Sequence, residues 1–327
     1  MDVLQFKPLI KRARWGGRRL GSLLNKPIGD ESDYAESWEI ADHGADQSIV
    51  TSGEFGGWTL SKLLAAHGER VLGYPLADQF PLLIKFLDAN DRLSLQVHPN
   101  DELARASDPT ENGKTEAWVI LAAEPGSLLY SGLKTAIDRA AFEKAINSES
   151  LADVLHTIDV SVGDCVFIPA GTVHAIGEGI VLGEIQQQSD ITYRIHDWGR
   201  LGTDGKPREI HVEQSLLCTD FERGPVDPVD PTTISESANQ RHELLVESEY
   251  FVIERRICSE PCDIETDGRF RIVMMLSGSA ELAGRDEAIP LRIGSTVLIP
   301  AELDRVVIRP DTECTWLESS VPQRFRP

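Results

Sequence analysis

Cysteine is scarce: five residues in a chain of 327, an odd number with no regular spacing. That excludes a disulfide-stapled scaffold and points to a reducing compartment. Long apolar runs are missing too. The longest, AWVILAA at 117–123, is the length of a buried strand and far short of the roughly 18 residues of a membrane helix. The opening MDVLQFKPLIKRARW has no uninterrupted apolar core and no small-residue cleavage site, so a cytoplasmic protein is expected. Cations are outnumbered, with 32 Lys and Arg against 53 Asp and Glu, a net charge of −21. Such a surface repels nucleic acid and anionic lipid, and neither is expected as a partner. An anionic substrate would need a positive patch built locally against that field. Neither a G-x-S-x-G elbow nor a G-x-G-x-x-G turn occurs. Asn112-Gly113-Lys114-Thr115 resembles the end of a phosphate loop, but Asp108 stands where its first glycine belongs, and an apolar strand follows instead of a helix.

Helical periodicity is short and rare. Residues 59–72 place Leu60, Leu63, Leu64 and Val71 on one face before Gly73 and Pro75, which predicts one helix. Residues 135–155 predict a helical pair broken at NSES, a small insertion near 133–156. Elsewhere short β-branched or aromatic runs alternate with Gly, Pro, Asn and Asp, as at 81–87, 93–98, 116–121, 164–168, 180–187, 251–257, 270–276 and 295–299. The fold expected is mainly β, a barrel or sandwich of jelly-roll type. Residues 222–241 carry three prolines and almost no large apolar side chain, so they are read as a linker between domains 1–221 and 242–327. A weak repeat supports the division. Gly163 to His174 reads G-x5-P-x-G-x2-H, and Gly294 to Arg305 reads G-x5-P-x-E-x2-R.

The chemistry-bearing residues cluster in the first unit. Gln96 and His98 lie two apart on a predicted strand and so face one side. Glu116 opens the next apolar strand, and His174 ends the glycine–proline turn. A lone strand histidine is ordinarily a hydrogen-bonded core or surface residue. Four N and O donors converging from separate strands are instead what a divalent metal requires. The string at 163–174 is similar to the second signature motif of the cupin barrels, and Q-x-H followed by Glu stands in for the first.

The resemblance narrows further. LLIKFLDANDRLSLQVHPND, GKTEAWVIL, IPAGTVHAIG and EIQQQSDITYRIHDW, with WGGRRLG and ESWEIADH nearer the N-terminus, resemble the type I mannose-6-phosphate isomerases in their short bacterial form. The motifs run in the family's order from residue 15 to about 200. The resemblance implies two cupin-like barrels and one zinc ion per chain, held by Gln96, His98, Glu116 and His174. It implies a catalytic role for Arg194, on the T-Y-R string, and marks Lys114, two residues before Glu116. It also implies a sugar phosphate substrate, with interconversion of mannose 6-phosphate and fructose 6-phosphate. Two positions depart from the family pattern. Gln188 stands where Asn is usual and is expected to alter a turn hydrogen bond; His196 stands where an aromatic such as Tyr is common.

Isomerisation moves a proton between C1 and C2 through an enediol whose oxygens gain negative charge. Zinc with one carboxylate ligand can polarise those oxygens, and Arg194 can stabilise them. Glu184 and Lys114 are the candidate proton carriers. A cupin oxygenase using iron, or a non-catalytic sugar-binding cupin, are the alternatives; the Gln ligand speaks against the first, Arg194 and Lys114 against the second. The basic stretch Lys7, Lys11, Arg12, Arg14, Arg18, Arg19 and Lys26 reads as a solvated flank, and Cys258 and Cys262 as ordinary core or surface thiols. In the repeat, Glu302 and Arg305 replace Gly171 and His174. Arginine has no lone pair to offer a metal, so a metal-free second barrel is expected at 242–327.

Overall fold

The apolar runs become the middle strands of a sheet covered on both faces. The computed structural model describes residues 1–75, 79–148, 150–202, 205–285 and 288–322. Its six-stranded antiparallel sheet runs, in spatial order, Cys165–Ile168, Glu116–Ala123, Ile180–Gln187, Leu82–Ala89, Tyr34–Ile40 and Leu9–Gly17. Along Glu116–Ala123 the side chains alternate, Trp118 and Ile120 joining one core and Ala117, Val119 and Leu121 another. The first core is the inside of a barrel completed by a five-stranded sheet of Leu155–Asp159, Leu128–Leu133, His174–Ile176, Leu95–Val97 and Tyr193–His196. The second core joins this barrel to the C-terminal one through Phe251, Ile253, Met274 and Leu317. Burial on both faces is why these strands read as unbroken apolar runs.

The C-terminal barrel pairs a four-stranded sheet, Cys262–Glu265, Arg305–Pro310, Ser279–Ala283 and Ala288–Arg292, with an eight-stranded one. Val273, Met275, Trp316, Ile264 and Leu282 fill it. The architecture is mainly β with two cupin-like barrels, as the motifs imply. Two segments sit otherwise than the sequence reading placed them. Leu4–Lys7, assigned to the first domain, pairs with Thr296–Ile299 in the C-terminal sheet, Leu4 opposite Leu298. Within the linker, Thr232–Glu236 forms a fully exposed edge strand on Gln240–Glu247. Its Thr-Thr-Ile core has strand propensity without an apolar face, so the composition reads as linker.

The expected helix is Leu60–Leu72. The Thr59 hydroxyl accepts from Lys62 N at 3.2 Å, and Gly73 ends it at φ 86°. A Cβ at Gly73 would lie 1.9 Å from the Gly268 carbonyl oxygen, so only glycine permits this approach to the second barrel. The open carbonyls of the last turn are taken by that barrel's amides: Ala301 N donates to Val71 O at 2.8 Å and Glu302 N to Arg70 O at 3.1 Å. The expected insertion appears as Arg139–Ile146, capped by Asp138, and Leu151–Val154. Asp101–Ser107 and Val212–Cys218 are further helices, each too short to show a period.

Glu302 also returns its carboxylate to Arg70 (Nε to Oε2, 2.6 Å) and to the Met1 amino group. The Arg70 hydrogen bonds, against burial, hold it down at about 2. A depressed folded-state pKa adds stability that is fully present above the unfolded value of 4.5 and is lost as pH falls through about 2. Glu302→Gln should therefore flatten the acid limb of a Tm–pH profile across that window; an unchanged limb removes the pair from the stability account. Of the basic stretch, Lys11, Arg12, Arg19 and Lys26 are ion-paired with Asp46, Asp33, Asp88 and Glu39. Lys7, Arg12 and Arg18 remain exposed, as a solvated flank requires, while Arg19 and Lys26 are tied into the fold by their partly buried pairs. Cys258, Cys262 and Cys314 are buried in the second barrel, and all five cysteines are unpaired. No helix among the described residues is long and apolar enough to cross a membrane.

Candidate metal centre and active site

Strand pairing brings the donors together. Gln96 lies directly opposite His174 on one neighbouring strand and Arg194 on the other. Across the barrel, Glu116 opens its strand opposite Gln186, and Glu184 pairs with Trp118 and Lys85. Gly171 adopts φ 87°, and its N–H donates to His98 O at 2.9 Å, tying the turn before His174 to the end of the His98 strand.

His98, Glu116 and His174 form a buried group whose ligand atoms lie within 4.8 Å of one another. His98 Nε2 is 3.5 Å from Glu116 Oε2, and His174 Nε2 is 3.4 Å from Oε1. The other ring nitrogens are occupied. His98 Nδ1 lies 2.8 Å from Ile191 O, and His174 Nδ1 lies 2.8 Å from Thr172 O. A carbonyl can only accept, so each Nδ1 carries the proton and each Nε2 presents a lone pair. Burial, reinforced by the Lys114 ammonium, pushes His98 well below its ordinary pKa, and burial brings His174 down to about 4. Burial raises Glu116 against the pull of Lys114 and Lys85. His98 Nε2, His174 Nε2 and Glu116 Oε2 are buried without a hydrogen bond, at a cost of about 1–3 kcal/mol for each such group. Two neutral imidazoles and a carboxylate converging in this way fit a divalent cation, which would satisfy all three atoms at once.

The centre opens on a cavity of about 300 Å³. Of the sequence candidates, Gln96, Lys114, Glu116, Glu184 and Arg194 line it. Lys114 Nζ sits 3.5 Å from Glu116 Oε2. Glu184 accepts from Trp118 Nε1 at 3.1 Å and meets Lys85 Nζ at 3.0 Å. Burial raises Glu184 despite Lys85. Arg194 is half-buried, its Nη1 donating to Glu209 O at 2.8 Å and its Nε to Ser94 Oγ at 3.3 Å; burial, then Arg208, lowers its pKa.

Sequence reasoning missed Lys85, Glu36, Asp190 and Arg208, which share the cavity. Lys85 had a signal, the one cation in the apolar run LLIKFLDA. Burial works against its ammonium, yet Glu184 and Glu36 hold its pKa above the usual range. Gln188 bonds through its backbone, N–H to Pro81 O at 3.0 Å, while its buried side-chain amide has no partner. His196 accepts from Trp198 N–H at 3.0 Å and packs edge-on against that indole.

Fold and site together define a double-barrel protein with a buried histidine–carboxylate centre, able to hold a metal, beside a charged cavity. The model of the type I phosphomannose isomerase catalytic domain matches residues 3–122. The chain is 32% identical over 321 residues to the mannose-6-phosphate isomerase ManA of Bacillus subtilis, covering 96% of this chain and 98% of that one. It is 33% identical to the mannose-6-phosphate isomerase of Streptococcus mutans, over 88% of each. The solved Bacillus subtilis mannose 6-phosphate isomerase superposes with a TM-score of 0.90 at 30% identity, over 98% of this chain and 99% of that one. A variant phosphomannose isomerase from Salmonella typhimurium shares the fold at 16% identity, with a TM-score of 0.76 over 98% of this chain and 99% of that one. The chain belongs to the type I phosphomannose isomerases, a family of mannose-6-phosphate isomerases.

Proposed function

We propose that the chain interconverts mannose 6-phosphate and fructose 6-phosphate using one zinc ion held by His98, Glu116, His174 and Gln96. The observation that carries this reading is the set of orphaned Nε2 and Oε2 atoms that meet at Glu116, which lines one cavity with Arg194, Lys114 and Glu184. Bound there, zinc would supply Lewis-acid polarisation of the sugar oxygens. Glu184 as a carboxylate, or Lys114 once its ammonium has given up a proton, takes the proton from C2 of the open-chain aldose. The C2–H electron pair becomes the C1–C2 double bond, and the carbonyl pair moves onto O1, which is protonated. The O2 proton then leaves, the carbonyl forms at C2, and the carrier returns its proton to C1. Arg194 stabilises the charge on the enediol oxygens. Lys85 holds the Glu184 carboxylate in place through the 3.0 Å ion pair. Five unpaired, buried thiols support a reducing, cytoplasmic setting. In the second barrel Arg305 is exposed and meets Asp263 at 3.4 Å. This supports a metal-free barrel that covers and braces the first.

The test is a coupled assay on mannose 6-phosphate with protein of measured metal content. Turnover should scale with bound zinc, with one ion per chain at saturation. Oxygen uptake without isomerisation would replace this reading with the cupin oxygenase.

A further inference from the structure

Behind the cavity mouth lies a braced arginine cluster to which no catalytic step has been assigned. Asp197 is nearly buried and holds two guanidinium groups. Its Oδ2 accepts from Arg208 Nε at 2.7 Å, its Oδ1 accepts from Arg208 Nη2, and Arg200 Nη2 donates to Oδ1 at 2.8 Å. Arg200 is shared with Asp91, at 3.1 Å. The turn that carries Asp197 is fixed from several sides. Trp198 adopts φ 57°, unusual for a bulky residue, and its indole N–H donates to Leu93 O at 2.7 Å. The Arg92 guanidinium lies 3.8 Å from the Trp198 ring centroid. The segment bearing Arg208 is fixed as well. Arg194 Nη1 bonds Glu209 O at 2.8 Å, and His211 N donates to Arg194 O at 2.7 Å.

Both Arg194 and Arg208 line the cavity. Asp197 occupies the Nε and Nη2 edge of Arg208, and among the described residues no acceptor bonds its Nη1. Burial, then the neighbouring Arg208 charge, lowers the pKa of Arg194, which stays a cation. In a protein of net charge −21, a guanidinium that lines the cavity with one edge open is useful where a dianion is to be received.

We propose that Arg208 is a specificity-determining residue that binds the phosphoryl group of the substrate, and that Asp197 is the positioning residue that aims it. The assignment rests on the sugar-phosphate isomerase reading. A planar fork clamped along one edge loses little freedom when its other edge takes a phosphoryl oxygen, so affinity is gained by preorganisation.

The test uses the full-length, zinc-loaded enzyme. KM and kcat are measured with mannose 6-phosphate, and the Kd of inorganic phosphate by calorimetry, for Arg208→Ala, Arg208→Lys, Asp197→Asn and the Asp197→Asn/Arg208→Ala pair. A charge-assisted hydrogen bond corresponds to a change of about 10- to 100-fold. Arg208→Ala should raise KM and the phosphate Kd by that factor, with kcat falling by less, and Arg208→Lys should recover part of the loss. Asp197→Asn should move both constants the same way by a smaller factor, and should add nothing in the Arg208→Ala background. KM and phosphate Kd both within about twofold of wild type in Arg208→Ala would overturn the proposal. Additive effects in the double variant would overturn the positioning role of Asp197. Should Asp197→Asn fail to fold, the Arg208 pair of variants still decides the phosphoryl contact. If the wild type binds phosphate but does not isomerise the sugar, the isomerase reading fails while the phosphate titration still judges Arg208.

Discussion

Replacing His174 by alanine is expected to remove bound metal and isomerase activity together, and His98→Ala should do the same. Each imidazole is fully buried, with Nδ1 tied to a backbone carbonyl and Nε2 directed at the Glu116 carboxylate. Activity should fall by at least about 10²-fold, the scale for losing one strong electrostatic contributor to a transition state. Stability supplies a second readout. An ion present at about 1,000 times its Kd stabilises the folded state by about 4.1 kcal/mol. A chelator should therefore lower the Tm of the wild type by several degrees while leaving that of His174→Ala unmoved. Full activity in wild-type protein shown by elemental analysis to be free of metal would sink the metal assignment, and so would an equal chelator shift in the variant.

The sequence is informative wherever a residue type has few alternative uses. Two imidazoles at strand ends, one of them closing P-x-G-x-x-H, are legible because the glycine turn and the ligand geometry constrain each other. Gly171 sits at φ 87° with its Cβ direction blocked by Cys218 O at 3.0 Å, and the His98 carbonyl completes the turn. Helix 60–72 is legible because its cap, period and stop signal agree. The Leu4–Lys7 strand is not, because its partner lies nearly three hundred positions away and Leu-Gln-Phe-Lys would alternate in any sheet. Arg208 is invisible for another reason. Its role depends on Asp197, Trp198 and Arg194 all being placed by a strand that itself needs Leu95–Val97 as a neighbour. Lys85 is intermediate: a charge within a buried run signals a partner but does not say which, and the partners prove to be Glu184 and Glu36 from the two flanking strands.

Arg194→Ala should leave the metal in place and still cost about 2.7–4 kcal/mol of transition-state stabilisation, the scale of removing one oxyanion donor. The two halves of that expectation come from different features. Metal retention follows because a guanidinium has no lone pair to donate and because Arg194 stands across Gln96 from His174, outside the group of three buried ligands. The catalytic loss follows because Arg194 lines the cavity that meets those ligands and is half-buried, where its charge acts through less water than on the surface. Arg194→Lys should recover only part of the rate. The guanidinium divides its donors between Ser94 Oγ, Glu209 O and the cavity, whereas an ammonium on a flexible stem cannot hold that fork. The same contacts brace the 209–211 segment, so a purely structural loss has its own signature: a lower Tm and a rate defect that Lys and Ala share equally. Zinc content and Tm near wild type, with kcat reduced about 10²- to 10³-fold and Lys intermediate, would place Arg194 at the reacting oxygens. An unchanged kcat in the alanine variant would remove it from the mechanism and leave the charge of the enediol to Lys114 and the metal.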